Sequence, residues 1–326
     1  MEKAILKTLA YADIFDYPLS LREIHKWLIG RKATLRQIEK AVGELVQSAR
    51  CKAQGGYYFL PRKPGLVGKR KRREKQSASY FQKAKILCQI LKLIPWIKLV
   101  GVSGALAMKN AGKSDDIDLL IVTSKNRLWI SRLLALGLLS LTGQRRKVGE
   151  KGRKIAGKLC INILLEEDRL EQQSKDIFVA HEVLQMKVLW QRGGIYSKYL
   201  EDNEWAFKFL PNWIGVMVAR RGAKKRSHGR DLLTCENFVE DRYLQSLRKS
   251  AQNLQHFLTA RDFATLIVNY LEDFAKRWQL KIMKQPQGME RIEDGAVYFH
   301  PQDCRNEILS KYQQKLKRII SSGMFP

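Results

Sequence analysis

The chain has 326 residues, 45% of them hydrophobic, and 60 Lys and Arg against 32 Asp and Glu give a formal net charge of +28. This length suggests two or three domains, and the apolar content excludes wholesale disorder. The excess of positive charge favours polyanionic partners such as RNA, DNA or nucleotides, although it says nothing about the fold.

The cysteines and the apolar segments of the sequence indicate the cellular compartment that we expect for the protein. The five cysteines are far apart and form no CxxC motif, so we expect reduced thiols in a cytoplasmic protein rather than a disulfide framework or a zinc site. The N-terminal residues lack the apolar core of a signal peptide. The most apolar window, residues 133–141, is too short to span a bilayer and favours a core-packed helix over an interfacial one. No membrane partner is therefore expected.

Residues 1–61 predict a small unit of three helices and a hairpin. The first helix covers about residues 2–14, and capping boxes at 20–23 and 34–37 open the second and third helices. Two short strands then flank a Gly-Gly pair at 55–56. This order resembles the winged helix-turn-helix family, which implies either DNA reading or docking of another protein. Both readings stay open, because the third helix is roughly neutral.

A basic linker is predicted over residues 62–76, which contain Pro, Gly and a dense cluster of Lys and Arg at 69–75. This cluster is suited to sequence-blind contact with phosphates, and a solvated linker is the alternative. A second basic stretch lies at 220–230 and is predicted to be a loop. We expect RNA or DNA, if bound, to contact these two stretches.

The stretch that carries chemistry begins with a predicted strand at 97–103 and ends in a second strand that is apolar on both faces. The first strand leads into Ser103-Gly104-Ala105 and a short helix that ends near Lys109. Glycine lets the backbone approach a ligand, and the helix amides are suited to a phosphate. Asp116 and Asp118 enter the second strand on one side, where paired carboxylates can hold Mg²⁺.

The order of these elements resembles the nucleotidyltransferase superfamily typified by DNA polymerase β. That order is a strand, a glycine turn, a short helix, and then an Asp-x-Asp pair at the start of a second strand. The matching residues are Gly104-Ala105 and Asp116-Ile117-Asp118, within about residues 97–168. The resemblance implies Mg²⁺-dependent transfer of a nucleoside monophosphate from an NTP, with one or two metal ions. It also implies phosphate contacts by Ser103, Gly104, Ala105 and Lys109.

Two departures from the family pattern leave a second reading open. Ala105 stands where a hydroxyl would contact phosphate. The third carboxylate is expected on the strand at 158–165, where the polar residue is Asn162, an amide that can ligate a metal but cannot act as a base. Glu166 and Glu167 follow at the end of that strand. The alternative is therefore a non-catalytic nucleic-acid-binding or regulatory protein on a degenerate nucleotidyltransferase core.

Other site-like motifs are set aside. Gly112-Lys113-Ser114 lacks the upstream glycine and the following helix of a P-loop. His181-Glu182 lacks the second histidine of an HExxH metalloprotease motif.

The predicted fold is α+β. We expect a nucleotidyltransferase-type mixed sheet flanked by helices at 77–170, after the winged helix at 1–61 and the linker at 62–76. A helical region follows at 171–326, with helices over about 176–190, 237–259, 261–281 and 302–320.

Overall fold

The computed structural model of the chain describes residues 1–61, 64–147, 149–150, 152–213, 265–283, 289–300 and 304–321. The basic stretch at 220–230 and the helix predicted over 237–259 lie outside these residues. The helices are α1 (Glu2–Ile14), α2 (Leu21–Lys26), α3 (Leu35–Gln47), α4 (Leu66–Leu91), α5 (Gly104–Ala107), α6 (Leu128–Leu141), α7 (Ile177–Gln185), α8 (Ile195–Asp202), α9 (Ala206–Phe209), α10 (265–282) and α11 (Cys304–Ser321). The strands are β1 (Leu19–Ser20), β2 (Lys52–Gln54), β3 (Tyr57–Phe59), β4 (Ile97–Val102), β5 (Ile117–Thr123), β6 (Leu159–Glu166), β7 (Lys187–Gln191), β8 (Met289–Glu293) and β9 (Ala296–His300).

The N-terminal elements follow the predicted order and carry the predicted caps. The Ser20 hydroxyl accepts the Glu23 N–H at 3.3 Å, while the Glu23 carboxylate accepts the Ser20 N–H at 2.9 Å. Thr34 and Gln37 repeat this exchange at the start of α3. Strands β1, β3 and β2 form a small antiparallel sheet in that order. Both capping boxes are therefore confirmed, since each satisfies donors that the start of a helix leaves free.

The main sheet is mixed, with the strand order β7-β4-β5-β6-β9-β8. Strand β5 runs parallel to β6 and antiparallel to β4, and the remaining neighbours pair antiparallel. Helices cover both faces of the sheet: alternate residues of β5, Leu119 and Ile121 on one side and Leu120 and Val122 on the other, belong to two different hydrophobic clusters. The mixed α+β class is confirmed, as is a central strand that is apolar on both faces.

The region after residue 171 is less helical than predicted, because it supplies β7, β8 and β9 to the main sheet. The helical spacing of apolar residues over 176–190 suggests one long helix, but α7 ends at Gln185 and Lys187–Gln191 pair with β4. A short apolar run is compatible with the spacing of either a helix or a strand. Here the run forms a strand because it pairs with the edge of β4 that β5 leaves open. The helices predicted over 261–281 and 302–320 are present as α10 and α11.

The predicted linker is also ordered differently, since residues 66–76 form the first three turns of α4. Lys and Arg are good helix formers, and the protein offsets their mutual repulsion. Lys69 pairs with Asp16 at 2.5 Å, and the buried Arg70 contacts Glu23 and Glu74, each at 2.7 Å. The half-buried Arg73 donates to the Phe15 carbonyl and to Asn110 Oδ1, each at 3.1 Å. Three of the six basic side chains thus serve the fold, while those of Lys71, Arg72 and Lys75 are exposed.

The N-terminal elements pack against the rest of the protein through one continuous core. Ile5 and Leu9 of α1 belong to the same hydrophobic cluster as Leu120 of β5, with α7, α8, α9 and α11 contributing further residues. The other face of the sheet packs against α4, α6 and α10. Helix α6 contains the apolar window 133–141 and buries Ala135 and Leu139 in that core, as predicted. Among the described helices, none has both the length and the apolar content needed to cross a membrane.

Candidate functional site

The turn between β4 and α5 is shaped by the approach of a carboxylate. Gly104 has φ +59°, a left-handed conformation that favours glycine, and a Cβ at this position would lie 2.8 Å from Asp118 Oδ2. The Ser103 N–H donates to the Asp118 carbonyl at 3.0 Å and joins the end of β4 to the start of β5. Glycine is therefore required here for two reasons, its backbone angle and its lack of a side chain.

Asp116 and Asp118 lie together, as their spacing predicts. Asp118 is opposite Cys160 in the parallel pairing of β5 with β6. One ligand atom from each of Asp116, Asp118 and Cys160 lies within 4.8 Å of the other two. Asp115 points elsewhere, and its carboxylate accepts the Gly112 N–H at 2.8 Å. The site is thus a pair of carboxylates beside a thiol.

Sequence reasoning missed the cation at this pair. Arg146 Nη1 lies 2.6 Å from Asp116 Oδ2, and the Asp116 carboxylate holds the pKa of Arg146 above its usual range although burial acts to lower it. The Arg146 N–H donates to the Leu159 carbonyl at 2.9 Å, which fixes the arginine beside the first residue of β6. Asp116 therefore shares one of its oxygens with a guanidinium, and Asp118 does not form an ion pair with any described residue.

Asp118 faces a cavity of about 280 Å³. The cavity lies between the glycine turn on one side and helices α1, α7 and α11 on the other, and Gly104, Ala105 and Asn162 also line it. Asp116 and Arg146 do not. The pKa of Asp118 is raised to about 8, mainly by burial. The nearby Asp116 and Glu182 carboxylates also raise this pKa, and their effect is larger than the lowering by Arg146. A buried carboxylate without a cation loses much of its preference for the ionised form.

The second carboxylate at the cavity is Glu182 of α7, a residue that the sequence gave no reason to place there. Its carboxylate accepts hydrogen bonds from the Gly104 N–H and from the Gln185 side chain, and burial raises its pKa to about 7. His181 also lines the cavity, and burial lowers its pKa to about 3. The His-Glu pair was set aside for want of a metalloprotease motif; only packing brings it to the turn.

The other predicted site residues have different surroundings. Asn162 lines the cavity, and its Oδ1 has no hydrogen-bond partner among the described residues. Ser103 is buried outside the cavity lining, and Lys109 is exposed and also outside it. Glu166 accepts backbone N–H groups of Asn126 and Leu128.

Neither candidate for a third carboxylate at the end of β6 lines the cavity, because Glu166 caps the loop that leads into α6 and Glu167 pairs with Lys98. The carboxylate that joins Asp118 there comes from a helix, Glu182 of α7. The amide of Gly104, expected to face a phosphate, is already bonded to Glu182.

The donor atoms suit a hard cation. Mg²⁺ prefers oxygen ligands, and Asp116, Asp118 and the unpartnered Asn162 Oδ1 supply them. Burial raises the pKa of Cys160 to about 12, so its sulfur stays a thiol and is no ligand for Mg²⁺. The residues present therefore fit the ion, with Arg146 as its competitor for Asp116.

Comparisons with known proteins add little to this geometry. No protein-family model matches the sequence, and no curated protein matches it. Among solved structures, a chain described as "Crystal structure of the toxin-antitoxin with AMP-PNP" is similar, at 15% identity and a TM-score of 0.21, over 49% of this chain and 98% of that one. A likeness at this score carries no argument about function.

Proposed function

We propose that the protein is a Mg²⁺-dependent nucleotidyltransferase that moves a nucleoside monophosphate from an NTP to an acceptor. The observation that supports this most is the position of Asp116 and Asp118, whose ligand atoms lie together at the start of a central strand, with Asp118 against the Gly104 turn and open to a cavity. Strands β4, β5 and β6 are neighbours in a mixed sheet, which is the class of sheet that the resemblance implies.

In this proposal Asp116, Asp118 and Asn162 hold the metal, which when bound would neutralise charge on the phosphates. Ala105 offers its backbone to the phosphates, with Ser103 and Lys109 as the remaining phosphate contacts. In the transfer the acceptor's nucleophilic atom forms a bond to the α-phosphorus, and the bond between that phosphorus and pyrophosphate breaks. Arg146 does not line the cavity, and its guanidinium can bind phosphate oxygens once it leaves Asp116.

A non-catalytic nucleic-acid-binding or regulatory protein is the second candidate. It is favoured by the Arg146–Asp116 ion pair and by Asn162 on β6, the strand where the resemblance implies a third carboxylate. In this reading residues 1–61 are a winged helix, and the exposed Lys71, Arg72 and Lys75 of α4, with the stretch 220–230, contact nucleic acid.

Labelled NTPs separate the two candidates. The wild-type chain is incubated with Mg²⁺ and each of four α-labelled NTPs, and transfer of label to acceptor or to the protein itself is measured. We expect transfer that Asp116→Asn and Asp118→Asn abolish and that Asp294→Asn, a change at an acid whose side chain is 89% exposed, leaves intact. Absence of Mg²⁺-dependent NTP binding and of transfer, together with salt-sensitive nucleic-acid binding that is unchanged in Asp118→Asn, contradicts the proposal and supports the second candidate.

A further inference from the structure

The cavity beside Asp118 has an unusual charge balance for so basic a chain. Two carboxylates, Asp118 and Glu182, line it, and no Lys or Arg stands among the described residues of its wall. Neither carboxylate forms an ion pair with any residue in the described ranges. In the absence of a bound metal ion, a negatively charged ligand would meet repulsion here and no counter-ion from the described wall, whereas a positively charged one would be attracted.

Two further polar atoms in the wall are left without protein partners. Asn162 is 9% exposed and His181 is 5% exposed, and both line the cavity. Neither Asn162 Oδ1 nor His181 Nε2 has a hydrogen-bond partner among the described residues. Buried polar atoms are rarely left unsatisfied, and an amide oxygen calls for a donor. These atoms therefore indicate a ligand that brings hydrogen-bond donors into the cavity.

Apart from Thr8, Asn110 and Gln185, the other described residues of the wall are mainly apolar or aromatic. Tyr11 stacks on the His181 ring with 4.2 Å between ring centroids, and Phe15, Phe178 and Ile308 supply further hydrocarbon surface. A ligand with a carbon skeleton is favoured over a hydrated inorganic ion, because such surface gains free energy when it is covered.

The cavity is large enough for an organic ligand. Its volume of about 280 Å³ lies near the lower end of the range of about 300–1,000 Å³ that is typical of small-molecule pockets.

We infer that the cavity binds a small protonated organic amine, with its ammonium group held by Glu182 and its carbon skeleton against Tyr11, Phe15 and Phe178. Asp118 then stands between two subsites: the amine on the cavity side, and the phosphates with Asp116 and Arg146 on the other. The identity of this amine as the acceptor rests on the proposed function, whereas its binding does not.

The test measures binding without nucleotide or metal. Benzylamine, cyclohexylamine, benzyl alcohol and benzoate are each titrated into the full-length protein by calorimetry and by ligand-observed NMR at pH 7.5. We expect the two amines to bind, with benzyl alcohol at least tenfold weaker and benzoate without measurable binding. Equal binding of the amine and the alcohol, binding of benzoate, or failure of both amines to bind overturns the inference.

Variants then locate the site. Glu182→Gln is expected to weaken amine binding at least tenfold, while Glu201→Gln, which removes the same charge from the exposed surface of α8, changes it less than twofold. Asn162→Asp, which adds a carboxylate in place of the unpartnered amide, is expected to strengthen binding. Amine binding that is unchanged in both Glu182→Gln and Asn162→Asp overturns the inference.

Failure of this inference and failure of the proposed function give different results. If amine binding changes in the variants as expected but no label is transferred from an NTP, the amine site is supported and the transferase proposal is contradicted. Label transfer to an acceptor by a protein that binds none of the amines contradicts the amine site and leaves the transferase standing.

Discussion

The first turns of α4 and the cavity beside Asp118 both bring several charged side chains together. The two regions differ in whether these charges are paired with charges of opposite sign. In α4, Lys69 and Arg70 are neutralised by Asp16, Glu23 and Glu74. At the cavity, Asp118 and Glu182 both line the wall, and no cation stands among its described residues. The difference teaches that the paired charges of α4 hold elements together, whereas the unpaired ones line the cavity for which we infer a ligand.

The pairing in α4 is tested by removing its central cation. Arg70 is 3% exposed, bonds Glu23 and Glu74, and lies 3.6 Å from the centroid of the Tyr17 ring. Arg70→Met is expected to destabilise the protein by about 3 kcal/mol, because it leaves Glu23 partly buried without its counter-ion. Urea unfolding measures the loss. The exposed neighbour supplies the control, since Lys71→Met is expected to change stability by less than about 0.5 kcal/mol. Equal effects of the two changes would show that the ion pairs contribute nothing.

For the cavity beside Asp118, the largest effect is expected from a substitution in the glycine turn. Gly104→Ala combines a left-handed backbone with a Cβ 2.8 Å from Asp118 Oδ2, so we expect a destabilisation of about 2 kcal/mol and loss of metal-dependent NTP binding. Gly143→Ala is the matched control, because Gly143 has φ +68° and a Cβ there would meet nothing within 4 Å. The excess effect of Gly104→Ala over Gly143→Ala measures the close approach of Asp118. If the two variants lose the same free energy of unfolding and both keep NTP binding, the carboxylate does not constrain the turn.

Because Asp118 has no described ion-pair partner, we expect the free energy of unfolding to depend on pH. The folded protein raises the pKa of this carboxyl from 3.8 to about 8, so between these values the native state holds a proton that the unfolded state has released. Stability therefore falls as the pH rises from about 4 to about 8. Asp118→Asn is expected to remove this part of the decline and to stabilise the protein by about 1–2 kcal/mol at pH 8. Thermal unfolding at pH 5, 6.5 and 8 checks it, with Asp294→Asn as the control. A variant that is no more stable than wild type at pH 8 would show that Asp118 is already ionised and compensated.

Among the described residues, Arg146 is the cation that pairs with Asp116, and its removal gives the smallest expected effect. Arg146→Gln frees Asp116 Oδ2, and we expect Mg²⁺ to bind about three- to tenfold more tightly, which corresponds to about 0.6–1.4 kcal/mol. Mn²⁺ titration followed by EPR, with Mg²⁺ in competition, measures the change. Arg145→Gln removes the neighbouring charge, whose guanidinium contacts the exposed Ser140, and is expected to have little effect. Weaker metal binding in Arg146→Gln than in Arg145→Gln would mean that the arginine supports the site rather than competes for it.

Much of the local structure could be predicted because it depends on near neighbours in the chain. The capping boxes at Ser20 and Thr34 follow from side chains three residues apart. The closeness of Asp116 and Asp118 follows from the two-residue period of a strand, and the apolar run after them predicts its central place in the sheet. The errors arose where two local readings fit equally well, as in the strand Lys187–Gln191 and the helical turns of residues 66–76.

By itself, the sequence therefore determined the glycine turn, the acid pair and the strand that carries them, since backbone periodicity and capping act over a few residues. Only the tertiary structure decided that Arg146 contacts Asp116, that Glu182 joins Asp118 at a cavity, and that α1 closes that cavity. These contacts join residues far apart in the chain. They depend on which apolar faces pack together, and the spacing of residues along the sequence does not encode that choice.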